Sequence, residues 1–215
     1  MNLHAMLSAR AEEGNPVRVG LIGAGKFGSM FLSQVLHTPG MHLIGIADLN
    51  VEGARAACRR VHWTDEQFAA KSFADALTGE TTFITDDADA LIRTDGIDVI
   101  IESTGVPEAG IHHALQCFAQ GKHVVMVNVE ADVLVGPLLT KKAEEAGVVY
   151  AMAYGDQPAL ICEQVDWARA CGLEVVAAGK GTLYMPNYHA STPDTIWDHY
   201  GLTAERAAQS GMNAK

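Results

Sequence analysis

The chain has 215 residues, 48% of them apolar, and carries 15 Lys and Arg against 26 Asp and Glu, a formal net charge of −11. That length supplies one large domain, or one domain with part of another, and a sizeable core. The acidic balance, with no basic run of five residues, argues against a nucleic-acid partner, because a phosphate backbone needs clustered Lys and Arg. No apolar run reaches the ~18 residues that cross a bilayer.

At the N-terminus, Leu3, Met6 and Leu7 are helix-spaced, and the basic start and long apolar centre of a signal peptide are lacking. This stretch reads as a short amphipathic helix ahead of the first strand. An apolar strand then runs from Val17 directly into Gly23-Ala-Gly25-Lys-Phe-Gly28, and an apolar-periodic helix comes next. In that setting Gly23 lets the chain turn sharply, Gly25 lets a pyrophosphate approach the backbone, and Gly28 lets the helix pack closely on the strand. The phosphates would sit on open N–H groups at the positive end of the helix. Lys26 and Phe27, inside the same turn, are counted with the glycines as cofactor-binding candidates. Residues 41–48 read as a second strand ending in Asp48, twenty residues after Gly28. A carboxylate at that spacing can accept bonds from the adenosine ribose; the alternative is an Asp that caps the helix starting near Val51.

Strand and helix alternate from there. Residues 51–61 and 65–77 read as helices, 81–85 as the third strand and 87–93 as a short helix. Residues 97–102 form a nearly continuous apolar run, as a buried parallel strand requires. Pro107 and Gly121 bracket the next helix. The fifth strand covers 123–127, a helix beginning with Pro137 covers 136–146, and the sixth strand covers 148–153. The fold class is therefore α/β: a doubly wound parallel sheet, a Rossmann fold, in the order 3-2-1-4-5-6. It occupies residues 1–155, and residues 156–215 begin a substrate-binding or catalytic domain. There, Pro158 opens a helix to about Ala170, residues 173–178 read as a strand, and a polar, aromatic, Gly/Pro-punctuated loop comes after it. Further helices start at Pro193, capped by Thr192, and near Thr203. The four cysteines fall in predicted helices without Cys-x-x-Cys spacing and read as reduced structural thiols in a cytoplasmic protein.

Ligands of such sheets bind beyond the carboxyl ends of the strands. Ser103, Thr104 and Gly105 lie just past strand four and can line the ribose–nicotinamide side, or form an ordinary turn. Asn128 lies just past strand five and can hold a ribose hydroxyl or the carboxamide, or make an Asx turn. Tyr154 and Asp156 lie just past strand six, where Asp156 can equally cap the next helix. Reduction of a carbonyl by hydride needs a proton donor or cation at the growing alkoxide. Lys180, between two glycines, is the leading catalytic candidate, with Tyr184, Tyr188, His189 and Asp156 beside it; a surface lysine and packing aromatics are the plainer reading. His112 and His113 are placed on a helix surface. No His/Cys cluster has zinc-like spacing, so no metal is assigned.

Taken together, residues 19–28, Gly121-Lys-His-Val-Val-Met-Val-Asn-Val-Glu-Ala-Asp132, Ala153-Tyr-Gly-Asp-Gln-Pro158, Ala177-Ala-Gly-Lys-Gly181 and the segment 188–194 resemble the homoserine-dehydrogenase-like oxidoreductases. Within that class they are most similar to the 1-deoxy-D-xylulose 5-phosphate reductoisomerase-like proteins, which often carry a SAF-type domain. The resemblance covers essentially the whole chain and implies an NAD(P)H-dependent reaction, a small-molecule substrate and a homodimer. For those relatives it implies reductive isomerisation of a sugar phosphate in isoprenoid precursor synthesis, with NADP(H); Asp48 favours NAD(H), Arg55, Arg59 or Arg60 can compensate by swinging toward the adenosine, and the expectation leans to NADP(H). Two departures stand out: Val129, not Lys, comes after Asn128, unlike homoserine dehydrogenases proper, and the acidic metal-binding pattern of ordinary reductoisomerases is not recognisable. Members of the group run well past residue 215, so the chain reads as a truncated product. The competing readings are homoserine dehydrogenase itself and a dinucleotide-binding sensor without turnover.

Overall fold

The computed structural model describes residues 2–154, 157–179, 185–199, 201, 203, 205 and 206, except for the side chains of 157, 158 and 188. The chain divides into two compact units, Met1–Cys162 and Glu163–Lys215. In the first, six parallel strands form one sheet: β1 (Val17–Ile22), β2 (Met41–Ala47), β3 (Phe83–Thr85), β4 (Val99–Glu102), β5 (His123–Met126) and β6 (Tyr150–Met152), ordered β3-β2-β1-β4-β5-β6. This is the doubly wound order read from the sequence. Its helices are α1 (Leu3–Glu12), α2 (Lys26–Val35), α3 (Val51–Arg60), α4 (Phe73–Thr78), α5 (Ala88–Arg93), α6 (Pro107–Ala119) and α7 (Val129–Ala146).

The central strands are buried on both faces, which is why their apolar runs are continuous rather than alternating. One face carries a core of Ile22, Ile44, Leu91, Ile100, Ala114, Phe118 and Leu139. The other carries Leu21, Leu32, Val35, Ile46, Trp63 and Phe68. The register of β1 against β2 slips by one residue between Val19 and Gly20. Leu91 fills the hollow left by two strand glycines: a Cβ on Gly45 would stand 2.6 Å from its Cδ1, and one on Gly20 would stand 3.2 Å from it. Trp63 is anchored by its indole N–H, which donates to Leu32 O at 2.9 Å. At the amino edge Lys122 is buried, and its ammonium donates to Thr94 O at 2.7 Å and Ile97 O at 3.0 Å. Burial holds that ammonium below the ordinary lysine range.

Several expected elements differ. Helix α1 forms, but none of its residues is buried and Leu3 and Met6 face solvent, so it is not the amphipathic helix its spacing suggests. The helix expected over 65–77 is broken into a 3₁₀ turn, Asp65–Phe68, and α4, because Ala70 pairs with Phe83 between them and Ser72 starts α4 by accepting from Asp75 N–H. Pro137 does not open a helix. It lies inside α7, which starts earlier because the Asn128 side chain caps it by accepting from Ala131 N–H at 3.1 Å.

In the second unit, where α8 (Gln157–Ala170) ends, residues 173–179 have no regular structure, since they make no ladder with a strand among the described residues. Pro193 precedes rather than starts α9 (Ile196–His199), whose first turn closes when Ile196 N–H donates to Thr192 O at 2.9 Å. Near Thr203, Arg206 N–H donates to its hydroxyl at 3.2 Å. All four cysteines are unpaired thiols; Cys58 and Cys117 are buried, Cys162 and Cys171 exposed, and Cys171 lies just past α8. Burial pushes the Cys58 thiol up to about 11 and the Cys117 thiol up to about 12.

Leu91 is fully buried against both central strands. Leu91→Ala should lower unfolding free energy by ~2–5 kcal/mol, measured by urea denaturation, through lost transfer energy and a residual cavity. A loss below ~1 kcal/mol would mean the hollow over the glycines is not a tight seat.

Candidate dinucleotide site

The sheet register places three strand ends side by side: Ile22 pairs with Ala47 on one side and Glu102 on the other. The residues just past these three ends are therefore brought together. Gly23 N–H donates to Ala47 O at 2.8 Å, and Ala24 N–H donates to Asp48 Oδ2 at 2.8 Å. From the other neighbour, Ser103 N–H donates to Ile22 O at 2.8 Å, and its hydroxyl lies 2.9 Å from Ile22 O and 2.8 Å from Gly23 O. The turn out of β1 is thus bonded to both flanking strands.

The glycines fit this turn for different reasons. Gly23 has φ +93°, and a Cβ there would also stand 2.8 Å from Ser103 O. A Cβ on Gly28 would run into the Gly23 carbonyl oxygen. Around Gly25 nothing lies within 4 Å, so the space beside its backbone is open. Gly25 is also the N-cap of α2 and has no side chain to cap it. The first N–H groups of the helix therefore keep their capacity for an anion, at the positive end of the helix dipole. Lys26 is exposed at that end, while Phe27 is half-buried against the core.

These groups open on a cleft of about 410 Å³ at the carboxyl edge, lined by Gly23, Gly25, Asp48, Asp86, Ser103 and His113 among others. A larger hollow of about 530 Å³ at the amino edge, by Arg18, Met41 and His42, has no such turn. Asp48 lines the cleft with its carboxylate fixed by Ala24 N–H and by Asn50 N–H at 2.8 Å. It does not cap α3; Asn50 does, accepting from Gly53 N–H at 2.8 Å. Gly105 is exposed with φ +69°.

The side chains of Thr104 and Asn128 are both engaged within the protein. The Thr104 hydroxyl, expected on the ribose–nicotinamide side, donates to Glu102 Oε1 at 2.6 Å and lies 3.3 Å from both Asn128 Nδ2 and Val106 N. The Asn128 amide, expected to hold a ribose hydroxyl or the carboxamide, is buried; it caps α7 and donates to Val106 O at 2.8 Å. The Thr104 hydroxyl has used its one proton within the protein, though Thr104 itself lines the cleft, and the Asn128 Oδ1 keeps one acceptor site. Ser103 keeps acceptor capacity only, since its one proton is already donated.

His113 departs from its expected place on a helix surface. It is 9% exposed, lines the cleft, and its Nδ1 lies 3.3 Å from Glu102 Oε1. Helical spacing carries the signal: Gly110, His113, Ala114 and Cys117 share the buried face of α6. His112 is at the surface, 2.9 Å from Asp89 Oδ1. Of the catalytic candidates, Asp156, Lys180 and Tyr184 lie outside the described residues, and His189 is exposed in a 3₁₀ turn, Pro186–Ala190, of the second unit. Among the described residues no three His, Cys, Asp or Glu side chains converge to hold a metal ion, and no helix is long and apolar enough to cross a membrane.

Residues 17–127, the segment that builds the turn, the cleft and most of the sheet, match the family model described as the oxidoreductase family, NAD-binding Rossmann fold. The chain belongs to that family, and its first unit is an NAD(P)-binding domain. Residues 155–215 match a second model, the catalytic domain of oxidoreductase DRL. Among solved structures, a homoserine dehydrogenase from Thiobacillus denitrificans is 21% identical over 64% of this chain and 29% of its own, with a TM-score of 0.50. A myo-inositol dehydrogenase from Lactobacillus casei is 17% identical over 71% of this chain and 42% of its own, with a TM-score of 0.49. A biliverdin reductase from Synechocystis is 22% identical over 64% of this chain and 37% of its own, with a TM-score of 0.45. The chain spans less than half the length of each, and the likeness is one of fold. Comparison with curated proteins finds no match.

Because the space beside Gly25 is empty of protein, Gly25→Val should leave the fold intact and obstruct the approach of a pyrophosphate. Calorimetric titration should show dinucleotide affinity falling by ~10-fold or more, or ~1.4 kcal/mol. Unchanged affinity in a folded variant would place the pyrophosphate elsewhere.

Proposed function

We propose that this chain is the cofactor-binding part, with the start of the catalytic part, of an NAD(P)H-dependent oxidoreductase of the homoserine-dehydrogenase-like class. Its substrate is a small sugar phosphate or hydroxy-carbonyl compound, which it reduces; the resemblance to the reductoisomerase-like proteins would add an isomerisation. One observation carries the reading: the open, uncapped start of α2 faces the cleft where three strand ends meet. The match of residues 155–215 to an oxidoreductase catalytic domain supports placing the chemistry there. The active protein is taken to be a cytoplasmic homodimer.

When bound, the nicotinamide supplies the hydride that adds to the substrate carbonyl carbon. The chain's residues do the rest. The turn at Gly23–Gly25 leaves the α2 amides open to the pyrophosphate. The Asp48 carboxylate, fixed by two backbone N–H groups, keeps acceptor capacity for ribose hydroxyls. The Lys180 ammonium opposes negative charge growing on the carbonyl oxygen, and a proton from Tyr184 or His189 completes the alcohol.

The same Asp48 favours NADH, because a 2′-phosphate beside a carboxylate is repelled. Of the three arginines that could offset it, Arg59 is engaged with Asp65 at 2.8 Å and Arg55 with Glu52 at 3.4 Å, while Arg60 is exposed. NADH should therefore bind ~10-fold more tightly than NADPH in paired calorimetric titrations. Tighter NADPH binding would show that the resemblance was the better guide.

In the full-length enzyme, Lys180→Met should lower turnover by ~100-fold or more while changing cofactor affinity less than ~2-fold, since the lost interaction strengthens only in the transition state. Single-turnover oxidation of bound cofactor with a panel of sugar phosphates and hydroxyketones measures it. Normal turnover in the variant would move the role to Tyr184 or His189.

A further inference from the structure

Glu102 is completely buried at the end of β4, a strand whose other buried residues are isoleucines. Its Oε1 accepts from the Thr104 hydroxyl at 2.6 Å and from Thr104 N–H at 3.3 Å. Its Oε2 is buried with no hydrogen-bond partner among the described residues. Gly110 makes room for it, since a Cβ there would stand 3.1 Å from Oε2. Burying a carboxylate with one oxygen unpaired is costly, and an apolar residue would avoid the cost.

Its place gives the charge a consequence. Glu102 pairs with Ile22, the residue before the Gly23 turn. Adjacent strands lie about 4.8 Å apart, so the Glu102 backbone neighbours that of Ile22, and His113, which the carboxylate faces, lines the same cleft as Gly23 and Gly25, where an anionic pyrophosphate would be received. Left unscreened, the carboxylate would repel that anion. Among the described residues no Lys or Arg pairs with Glu102; His113 does, at 3.3 Å. A carboxylate oxygen facing a ring nitrogen accepts, so Nδ1 carries the hydrogen and disperses the charge. His112, whose ring centre is 5.7 Å from that of His113, is paired outward with Asp89 and does not compete for Glu102.

We propose that His113 is a positioning residue that acts through Glu102: it screens the buried carboxylate so that the cleft accepts an anionic dinucleotide. By holding Glu102 against Thr104, it also steadies the turn that carries Ser103. The proposal rests on reading the cleft as the dinucleotide site.

The test compares an anionic with an uncharged ligand. NADH and adenosine are titrated at pH 8 into the wild-type chain, His113→Leu, Glu102→Gln and the double variant. His113→Leu should weaken NADH by ~10-fold and adenosine by less than ~2-fold, because only the anion is repelled by the unscreened charge. The double variant should recover NADH affinity to within ~3-fold of wild type, the signature of coupling between the two residues. Equal loss for both ligands, or a double variant as weak as the single one, would overturn the proposal, because a merely structural role predicts that pattern. If His113→Leu does not fold, Glu102→Gln decides alone: NADH bound at least as tightly as by wild type supports the proposal, and a selective loss of NADH overturns it. A wild-type chain that binds adenosine but not NADH overturns the reading of the cleft and this inference with it. Wild-type binding with no selective effect of His113→Leu overturns only the inference.

Discussion

The site depends on how the chain leaves β1. A strand that ends in a sharp turn exposes peptide groups on all sides, and each must be satisfied or left for a ligand. Here the neighbouring strand ends take the inward ones. Asp48 receives the amide of Ala24, and the Ser103 hydroxyl takes the carbonyls of Ile22 and Gly23. The first turn of α2 remains, and its amides have no side-chain cap. Binding capacity is the part that the protein's own hydrogen bonds leave over.

The polar residues behind the turn are satisfied in the opposite way, within the protein. Thr104, Asn128 and Glu102 bond mainly to one another and to backbone, and join the end of β4 to the start of α7. Gly110 is required there, because a Cβ would stand 2.6 Å from the Asn128 amide and 3.0 Å from Ala131. Such a network is strong when every member is satisfied and costly when one is not. Glu102 Oε2, beside Gly110, is the unpaired oxygen of this network among the described residues.

Much of this was legible in the sequence. The glycine turn, the acid at the end of the second strand and the sheet order all come from local pattern, since parallel strands buried on both faces announce themselves as apolar runs. Other features were not. Pro137 outweighed Asn128 as a helix start on paper, yet a side-chain cap well upstream fixed the helix first. The internal partners of Thr104 and Asn128 were among those not legible, because sequence shows that a side chain can bond, not whether a partner from another element already occupies it. His113 was misplaced although its face of α6 is apolar at helical spacing; its partner lies eleven residues away, across a strand-to-helix turn, and local periodicity does not name it.

The seat of Leu91 over Gly20 and Gly45 bears on how this sequence can drift. The three positions belong to different elements but share one volume, so none can enlarge without another shrinking. A lineage that gained a methyl group at position 45 would have to trim position 91 or Phe73, whose ring a Cβ on Gly45 would approach to 2.7 Å. Positions 20, 45, 73, 91 and 100, whose Cδ1 a Cβ on Gly20 would approach to 2.6 Å, should therefore change as a set in descendants of this chain, leaving a co-variation signal in the core that owes nothing to the cofactor.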